Sequence, residues 1–284
     1  MSFALLPAHE IPFSKQAAIL NRAFHGYLAG WAEMDAAAVA RFICAQGIDL
    51  CHSRFVSHQG EPAGFGYINR TGNISRLSAM GTVPEARRIG VARWLLAQLL
   101  EEAKNRRDEA MMLEVFEQNT SAVELYRQSG FQIRTRLFGW RRTSETAPPE
   151  RRPESLEEIR PIKASQWPSA FEYPEIPWQI SRHAVAKVPL ARAFGRAGAC
   201  IVVGDPAAPF IRLHGFLAKS EDWNAWRDLL SALLAFFPQR EFFAPAIFPE
   251  PFGEEIFQSL GFAREPLNQF LMRRELNLSA GDEA

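Results

Sequence analysis

Along the first half of the chain the apolar residues change period several times, and each change marks an element. Phe3–Pro7 is a short apolar run and predicts a strand. From Ser14 onward, Ala17, Ile19, Leu20 and Phe24 predict a helix. Asp35 predicts the cap of a second helix with Val39, Phe42 and Ile43 on its inner side. Leu50–Ser57 and Ala63–Asn69, joined by the turn His58-Gln59-Gly60-Glu61-Pro62, read as a hairpin, and Asn73–Val83 as a further strand. Ala92–Lys104 is the plainest helix, because Ala92, Leu95, Leu96, Leu99, Leu100 and Ala103 share one face. Met111–Phe116 predicts a strand. Ser121–Gln128 predicts a short helix with a Ser121/Glu124 capping box, stopped by Gly130. Phe131–Trp140 closes the half as a strand.

A three-strand meander followed by crossover units predicts an α/β fold, in the α+β sense of a mixed sheet with helices on both faces. A dinucleotide-binding fold needs a GxGxxG between first strand and helix, and none is present.

Proline divides the chain. Of 19 prolines, only Pro7, Pro12, Pro62 and Pro84 precede residue 148. The polar, Pro-rich run from Arg141 to Ser155 predicts a linker at 143–155, with domains at 1–142 and 156–284. Each is long enough to bury a core.

Composition adds exclusions. With 32 basic and 32 acidic residues the formal net charge is zero, so no bulk field draws the chain to nucleic acid or membrane. The three cysteines and six histidines form no zinc pattern or disulfide framework, and no metal is expected; Cys44 and Cys51 read as small core residues. No apolar run spans a bilayer, and the opening MSFALLPAHE lacks the basic start of a signal peptide, so a cytoplasmic location is expected.

The candidate chemistry begins where a strand ends at Val83 and Arg87-Arg88-Ile89-Gly90-Val91-Ala92 lead into the long helix. A helix start presents unpaired N–H groups and partial positive charge, Gly90 permits close approach, and the ensemble suits a diphosphate. An ordinary strand-to-helix turn with solvated arginines fits the same residues. A second segment places Asn119 after a strand, then a helix with Ala122, Leu125 and Tyr126, then Gly130-Phe131. Period two puts Glu114 on the sheet face opposite Leu113 and Val115, where it would act as base, ammonium anchor or structural partner of Arg76.

Together the two segments resemble the GNAT acyltransferase superfamily. Arg87, Gly90 and Ala92 match its phosphate loop [QR]xxGx[GA], and Asn119, Ala122, Leu125, Tyr126, Gly130 and Phe131 match its NxxAxxLYxxxGF signature. The resemblance covers the first half and implies a GNAT fold that takes acetyl-CoA between the strands ending near Val83 and Phe116. It implies that the backbone of residues 88–92 holds the pyrophosphate, that Gly81, Thr82 and Val83 pair with the pantetheine, and that Tyr126 stands by the sulfur as catalytic acid. It further implies that the loop bearing Phe24, Tyr27 and Trp31 lines the acceptor site. The remaining arginines, Arg134, Arg136, Arg141 and Arg142, read as a solvated strand face, with a grip on the CoA 3′-phosphate as the alternative.

The second half resembles a degenerate copy. GEEIFQSLGF, residues 253–262, echoes VELYRQSGF and sets Phe257 opposite Tyr126. Leu156–Ile162 predicts its first strand, and Ser220–Phe237 a helix whose first turn carries Glu221 and Asp222 and no phosphate loop. The expectation is a tandem protein: an acetyl-CoA-dependent N-acetyltransferase of a small-molecule or peptide amine, catalytic in the first domain, with homodimerisation left open. The competing expectation is a CoA-binding sensor without turnover.

Overall fold

The computed structural model describes residues 3–146, 156–167, 176–196, 198–218, 223–250 and 253–276. The predicted linker beyond residue 146 and the start of the Ser220 helix, with Glu221 and Asp222, lie outside them. The chain forms two compact units, one of residues 1–134 and 271–284, the other of 135–270.

The first unit runs β1 (Phe3–Pro7), α1 (Phe13–Phe24), α2 (Ala36–Gln46), β2 (Ile48–His58), β3 (Glu61–Thr71), β4 (Ile74–Thr82), α3 (Val91–Asn105), β5 (Ala110–Phe116) and α4 (Thr120–Gln128), and then enters β6 (Gln132–Arg142). The second runs β7 (Glu157–Ile159), α5 (Pro161–Ala164), α6 (Arg182–Val185), β8 (Arg192–Arg196), β9 (Ala199–Val203), β10 (Ile211–Ala218), α7 (Trp223–Phe236) and β11 (Phe242–Pro249), and then β12 (Ala263–Glu275). Both units therefore repeat strand, two helices, three-strand meander, helix, strand.

The last strands are exchanged. In the first unit the strand order is β1-β2-β3-β4-β5-β12, and in the second β7-β8-β9-β10-β11-β6. β6 pairs antiparallel with β11, Phe242 opposite Arg142. The end of β12 reaches the first unit, where the Leu276 N–H donates to the Glu109 carbonyl at 2.8 Å. The division at 142/156 is corrected accordingly: residues 135–142 belong to the second unit and 271–276 to the first. The apolar pattern of a strand reports its buried faces and carries no information on which edge it joins.

Several local expectations also change. Asp35 caps α2 by accepting from the Ala38 N–H at 2.7 Å, as its type predicts. At α4 the cap is Asn119, whose side chain accepts from the Ala122 N–H, while Ser121 lies inside the first turn and Glu124 accepts from Gln128; the Ser121/Glu124 box does not form. Cys44 and Cys51 are exposed, and only Cys200 is buried. Leu156–Ile162 is a strand only at Glu157–Ile159, since Pro161 starts a helical turn. Arg141 is paired with Glu241 and Glu265, and Arg142 is buried and donates to the Leu260 carbonyl at 3.0 Å, so neither belongs to a solvated face.

Candidate active site

The site is built where β4 and β5 part. They pair in parallel from Ile74↔Ala110 to Leu77↔Leu113, although β4 continues to Thr82 and β5 to Phe116. Burial follows the fork: residues 74–77 are buried, and 78–82 are only half-buried. The β3–β4 ladder shifts at the same place, with Tyr67 opposite Ala79 and Ile68 opposite Leu77, so Ser78 is a one-residue bulge.

The bulge decides which backbone groups face the cleft. The Val83 N–H donates to the Ala63 carbonyl at 3.1 Å. Antiparallel alternation then turns the polar groups of Ala79, Gly81 and Val83 toward β3 and those of Met80 and Thr82 toward the open edge. Gly81 and Val83 thus do not present the pairing edge expected of them, while Thr82 does. Met80 was not legible, because only the bulge sets this phase. Gly81 serves packing instead: a Cβ there would lie 2.8 Å from the Phe65 ring and 3.0 Å from Ala23.

Past β4, the loop to α3 carries two left-handed residues, Arg88 (φ 68°) and Gly90 (φ 93°). α3 begins on Gly90 with no side-chain cap and no acid in its first turn. The N–H groups of Val91, Ala92 and Arg93 precede the first helical bond, from the Trp94 N–H to the Gly90 carbonyl at 3.0 Å, and point out of the helix end. A Cβ built on Gly90 meets nothing within 4 Å, so the space before the helix is open. Arg87 fixes the loop by donating to the Ala23 carbonyl at 3.1 Å, and Arg88 is exposed. Ile89 is half-buried beside them. An uncapped, acid-free helix start behind a left-handed turn fits a diphosphate.

Past β5, Asn119 starts α4 and Tyr126 lies on its inner side, 7% exposed, with its ring edge-on to Phe131 at 5.8 Å. Burial, with a smaller contribution from Tyr27, pushes the Tyr126 phenol well above its ordinary value. Tyr27 is raised by burial too, offset by a hydrogen bond with the Asn119 side chain.

The loop residues Phe24, Tyr27 and Trp31 come together as an aromatic wall. Phe24 lies 5.2 Å from Tyr27 and 4.6 Å from Trp31 between ring centroids, and Tyr27 lies 6.1 Å from Phe116. Asn21, which sequence reasoning passed over, pins this loop: its carbonyl oxygen accepts from the Trp31 indole at 3.0 Å and from the Met34 N–H at 2.9 Å. Glu114 is held by Arg76 in a buried ion pair at 2.8 Å, the third of its expected roles.

The second unit repeats the frame with a phenylalanine where the first has Tyr126. Phe257 is fully buried in the position of Tyr126, and its ring packs on Phe262 at 5.2 Å. Residues Gly253–Phe257 form a π-helical turn followed by a short 3-10 turn.

Among the described residues no cluster of His, Cys, Asp or Glu could hold a metal, and no helix is long and apolar enough to cross a membrane.

Residues 18–131 match the family model described as the acetyltransferase (GNAT) family. No curated relative matches the sequence. Among solved structures, a GCN5-related N-acetyltransferase from Sphaerobacter thermophilus is similar with a TM-score of 0.66 at 17% identity, covering 97% of this chain and 96% of the other. A putative acetyltransferase from Pyrococcus horikoshii gives a TM-score of 0.66 at 16% identity, covering 96% and 89%. A tandem GNAT protein from the clavulanic acid biosynthesis pathway gives 0.61 at 13% identity, covering 98% and 99%. At these identities the likeness is one of fold, and it extends over both units. Residues 18–131, which carry the fork, the loop and the Tyr126 helix, match the GNAT acetyltransferase family, and the chain as a whole has the fold of a tandem GNAT protein.

Proposed function

We propose that the chain is an acetyl-CoA-dependent N-acetyltransferase in which the first unit moves the acetyl group to a primary amine by direct attack. The observation that carries this reading is the fork: β4 and β5 stop pairing at Leu77/Leu113, with an uncapped helix start at the end of one arm and a phenol beyond the end of the other.

The cosubstrate supplies an acyl carbonyl activated as a thioester. The N-terminal backbone of α3, residues 88–92, would hold its diphosphate by N–H donation and dipole. The open edge at Met80 and Thr82 would pair with the pantetheine amides as an added strand does, and Asn119 and Ala122 would border the arm at the start of α4. The neutral amine nitrogen bonds to the carbonyl carbon, the carbon–sulfur bond breaks, and the proton lost by nitrogen ends on sulfur. A thiol titrates near 8.5 and a free phenol near 10. Burial raises the Tyr126 phenol, so it is protonated at neutral pH and has a hydrogen to offer the sulfur. Tyr126 therefore acts as a hydrogen-bond donor that steadies the developing negative charge on sulfur. Phe24, Tyr27 and Trp31 offer the acceptor an apolar, aromatic wall, which suits a small molecule or a peptide terminus.

The test is calorimetry with acetyl-CoA on the wild type and on Gly90→Glu. Gly90 has φ 93°, where a side chain is strained, and a carboxylate there enters the open space before α3. Binding to the wild type and its loss in the variant are expected. Equal binding by the two would remove the phosphate loop from the site.

A further inference from the structure

Arg76 and Glu114 stand at the fork itself. Arg76 lies in the paired part of β4, opposite Met112, and Glu114 is the first residue of β5 past the last pair. The pair is bidentate: Arg76 Nη2 lies 2.8 Å from Glu114 Oε2, and Nε donates to Oε2 at 2.9 Å and to Oε1 at 3.2 Å. The side chains are 2% and 4% exposed. Nη1 of the same guanidinium donates to the Ser78 hydroxyl at 3.0 Å and to the Gln46 amide oxygen at 3.2 Å. One cation thus ties the last turn of α2, the bulge of β4 and the first diverging residue of β5.

The second unit is an internal comparison. The β9–β10 ladder shifts between Leu213 and Gly215, so His214 is a bulge in the place of Ser78. Arg212, two residues before that bulge, pairs with Phe243 as Arg76 pairs with Met112. Two residues on from Phe243, Pro245 stands where Glu114 would be, and the Arg212 guanidinium lies over the Phe243 ring at 5.5 Å. Phe216 holds the place of Met80, and Phe216, Phe248 and Phe257 lie within 5.8 Å of one another, all buried. Arginine, bulge and fork are common to both units; the acid is present only where the fork is not packed with rings.

We propose that Arg76 and Glu114 are the positioning pair of the acyl-CoA cleft, fixing the point at which β4 and β5 part, and that Glu114 is not the base that deprotonates the amine; this rests on the acetyltransferase reading above. Parallel strands gain a hydrogen bond with each further residue paired, so a fork needs something that opposes closure. A bidentate ion pair and the bulge it holds take up that space. A carboxylate with both oxygens engaged by a guanidinium takes no proton from an amine without breaking a buried charge pair.

Glu114→Gln and the double variant Arg76→Gln/Glu114→Gln test this by calorimetry with CoA and by the pH dependence of kcat against an amine acceptor. The expected result for Glu114→Gln is a rise of about tenfold or more in acetyl-CoA KM and in CoA Kd, with kcat within about threefold and the acidic limb of its pH profile intact. The double variant leaves no buried unpaired charge; it carries the same comparison if the single variant does not fold. Loss of the acidic limb at unchanged KM makes Glu114 the base and overturns the proposal, as do unchanged KM and Kd. Failure of the wild type to bind CoA overturns the acetyltransferase reading as well, and so is told apart from failure of the positioning role alone.

Discussion

Phe257 stands in the second unit where Tyr126 stands in the first. The Phe131 N–H donates to the Tyr126 carbonyl at 3.0 Å, and the Phe262 N–H donates to the Phe257 carbonyl at 3.1 Å. In each, the intervening glycine is left-handed, Gly130 at φ 84° and Gly261 at φ 79°. The backbone device that closes the turn has been kept while the hydroxyl it presented has gone. The two units therefore differ in chemistry at a shared frame, and the hydroxyl of Tyr126 is the part to test.

Replacing Tyr126 by Phe removes that hydroxyl and keeps the ring against Phe131. Removal of one donor to a developing charge lowers turnover by roughly 10²–10³. CoA affinity is expected to change little, because the ring still fills its place. The phenol is raised, not lowered, so it stays protonated through the neutral range and contributes no alkaline limb there. Steady-state rates and calorimetry on Tyr126→Phe check both statements; a large loss of CoA affinity at an unchanged rate would make Tyr126 a binding residue.

Much of this site was legible in the residues. The helix starts and stops, Asp35 at α2 and Gly130 after α4, depend on side chains and φ angles that local chemistry fixes. Gly90, Asn119 and Tyr126 carried their own signals of type and spacing. What was illegible depends on pairing across the sheet. The Ser78 bulge, which turns Met80 to the open edge, arises from a mismatch between β3 and β4. The Arg76–Glu114 bond joins residues 38 apart, and charge pattern alone left it as one of three roles for Glu114. The exchange of β6 and β12 is of the same kind, since either edge would bury the same faces. Cys44 was misread because smallness and hydrophobicity do not tell the inner side of a helix from the outer.

One CoA site per chain is expected. In the second unit Phe216 and Phe248 meet at 5.6 Å beyond the last β10–β11 pair, with Phe257 5.3 Å from Phe248. These rings occupy the volume that a pantetheine arm would need. Phe216→Ala and Phe248→Ala are each expected to destabilise the chain by about 3–5 kcal/mol, as buried Phe→Ala changes do. Neither is expected to open a second site. Calorimetric stoichiometry near one in the wild type and in both variants checks this; a stoichiometry near two refutes it.

Alkali is expected to weaken the fold through its buried phenols. Tyr67 is fully buried and Tyr126 nearly so, and burial raises both phenols above their ordinary value. Below about pH 10 both phenols are protonated whether the chain is folded or unfolded, and the stability tied to burying them is fully present. Above it the unfolded chain releases protons that the folded chain keeps, so stability falls by up to about 1.4 kcal/mol per pH unit for each group. Melting temperatures from about pH 9 to about pH 12, on either side of the free phenol value, should decline, and Tyr67→Phe should lessen the slope. The variant also loses the hydrogen bond from Tyr67 to Gln16, so its melting point is expected to be lower throughout; the slope is the quantity compared. An unchanged slope would mean that Tyr67 ionises freely in the folded chain.

A chain ended after Arg142 is expected to fail as a folded unit, although it retains the phosphate loop, Asn119 and Tyr126. The first unit includes residues 271–276 from the end of the chain, with Leu271, Met272 and Leu276 at most 2% exposed. Burial of each such side chain contributes about 1.5–3 kcal/mol. Three together contribute several kcal/mol, comparable with the roughly 5–15 kcal/mol that holds a whole domain. Their removal also uncovers the edge of β5, withdraws the bond from the Leu276 N–H to the Glu109 carbonyl, and frees the Ser129 carbonyl that accepts from Arg274. The truncated chain is therefore expected to aggregate or to melt without cooperativity and to bind no CoA. Restoring residues 263–276 through a flexible linker after a stop near Arg134 is expected to recover part of the melt, because that segment completes the sheet. A cooperative transition close to that of the full chain, with CoA bound, in the chain ended after Arg142 would mean that the exchanged strand is dispensable.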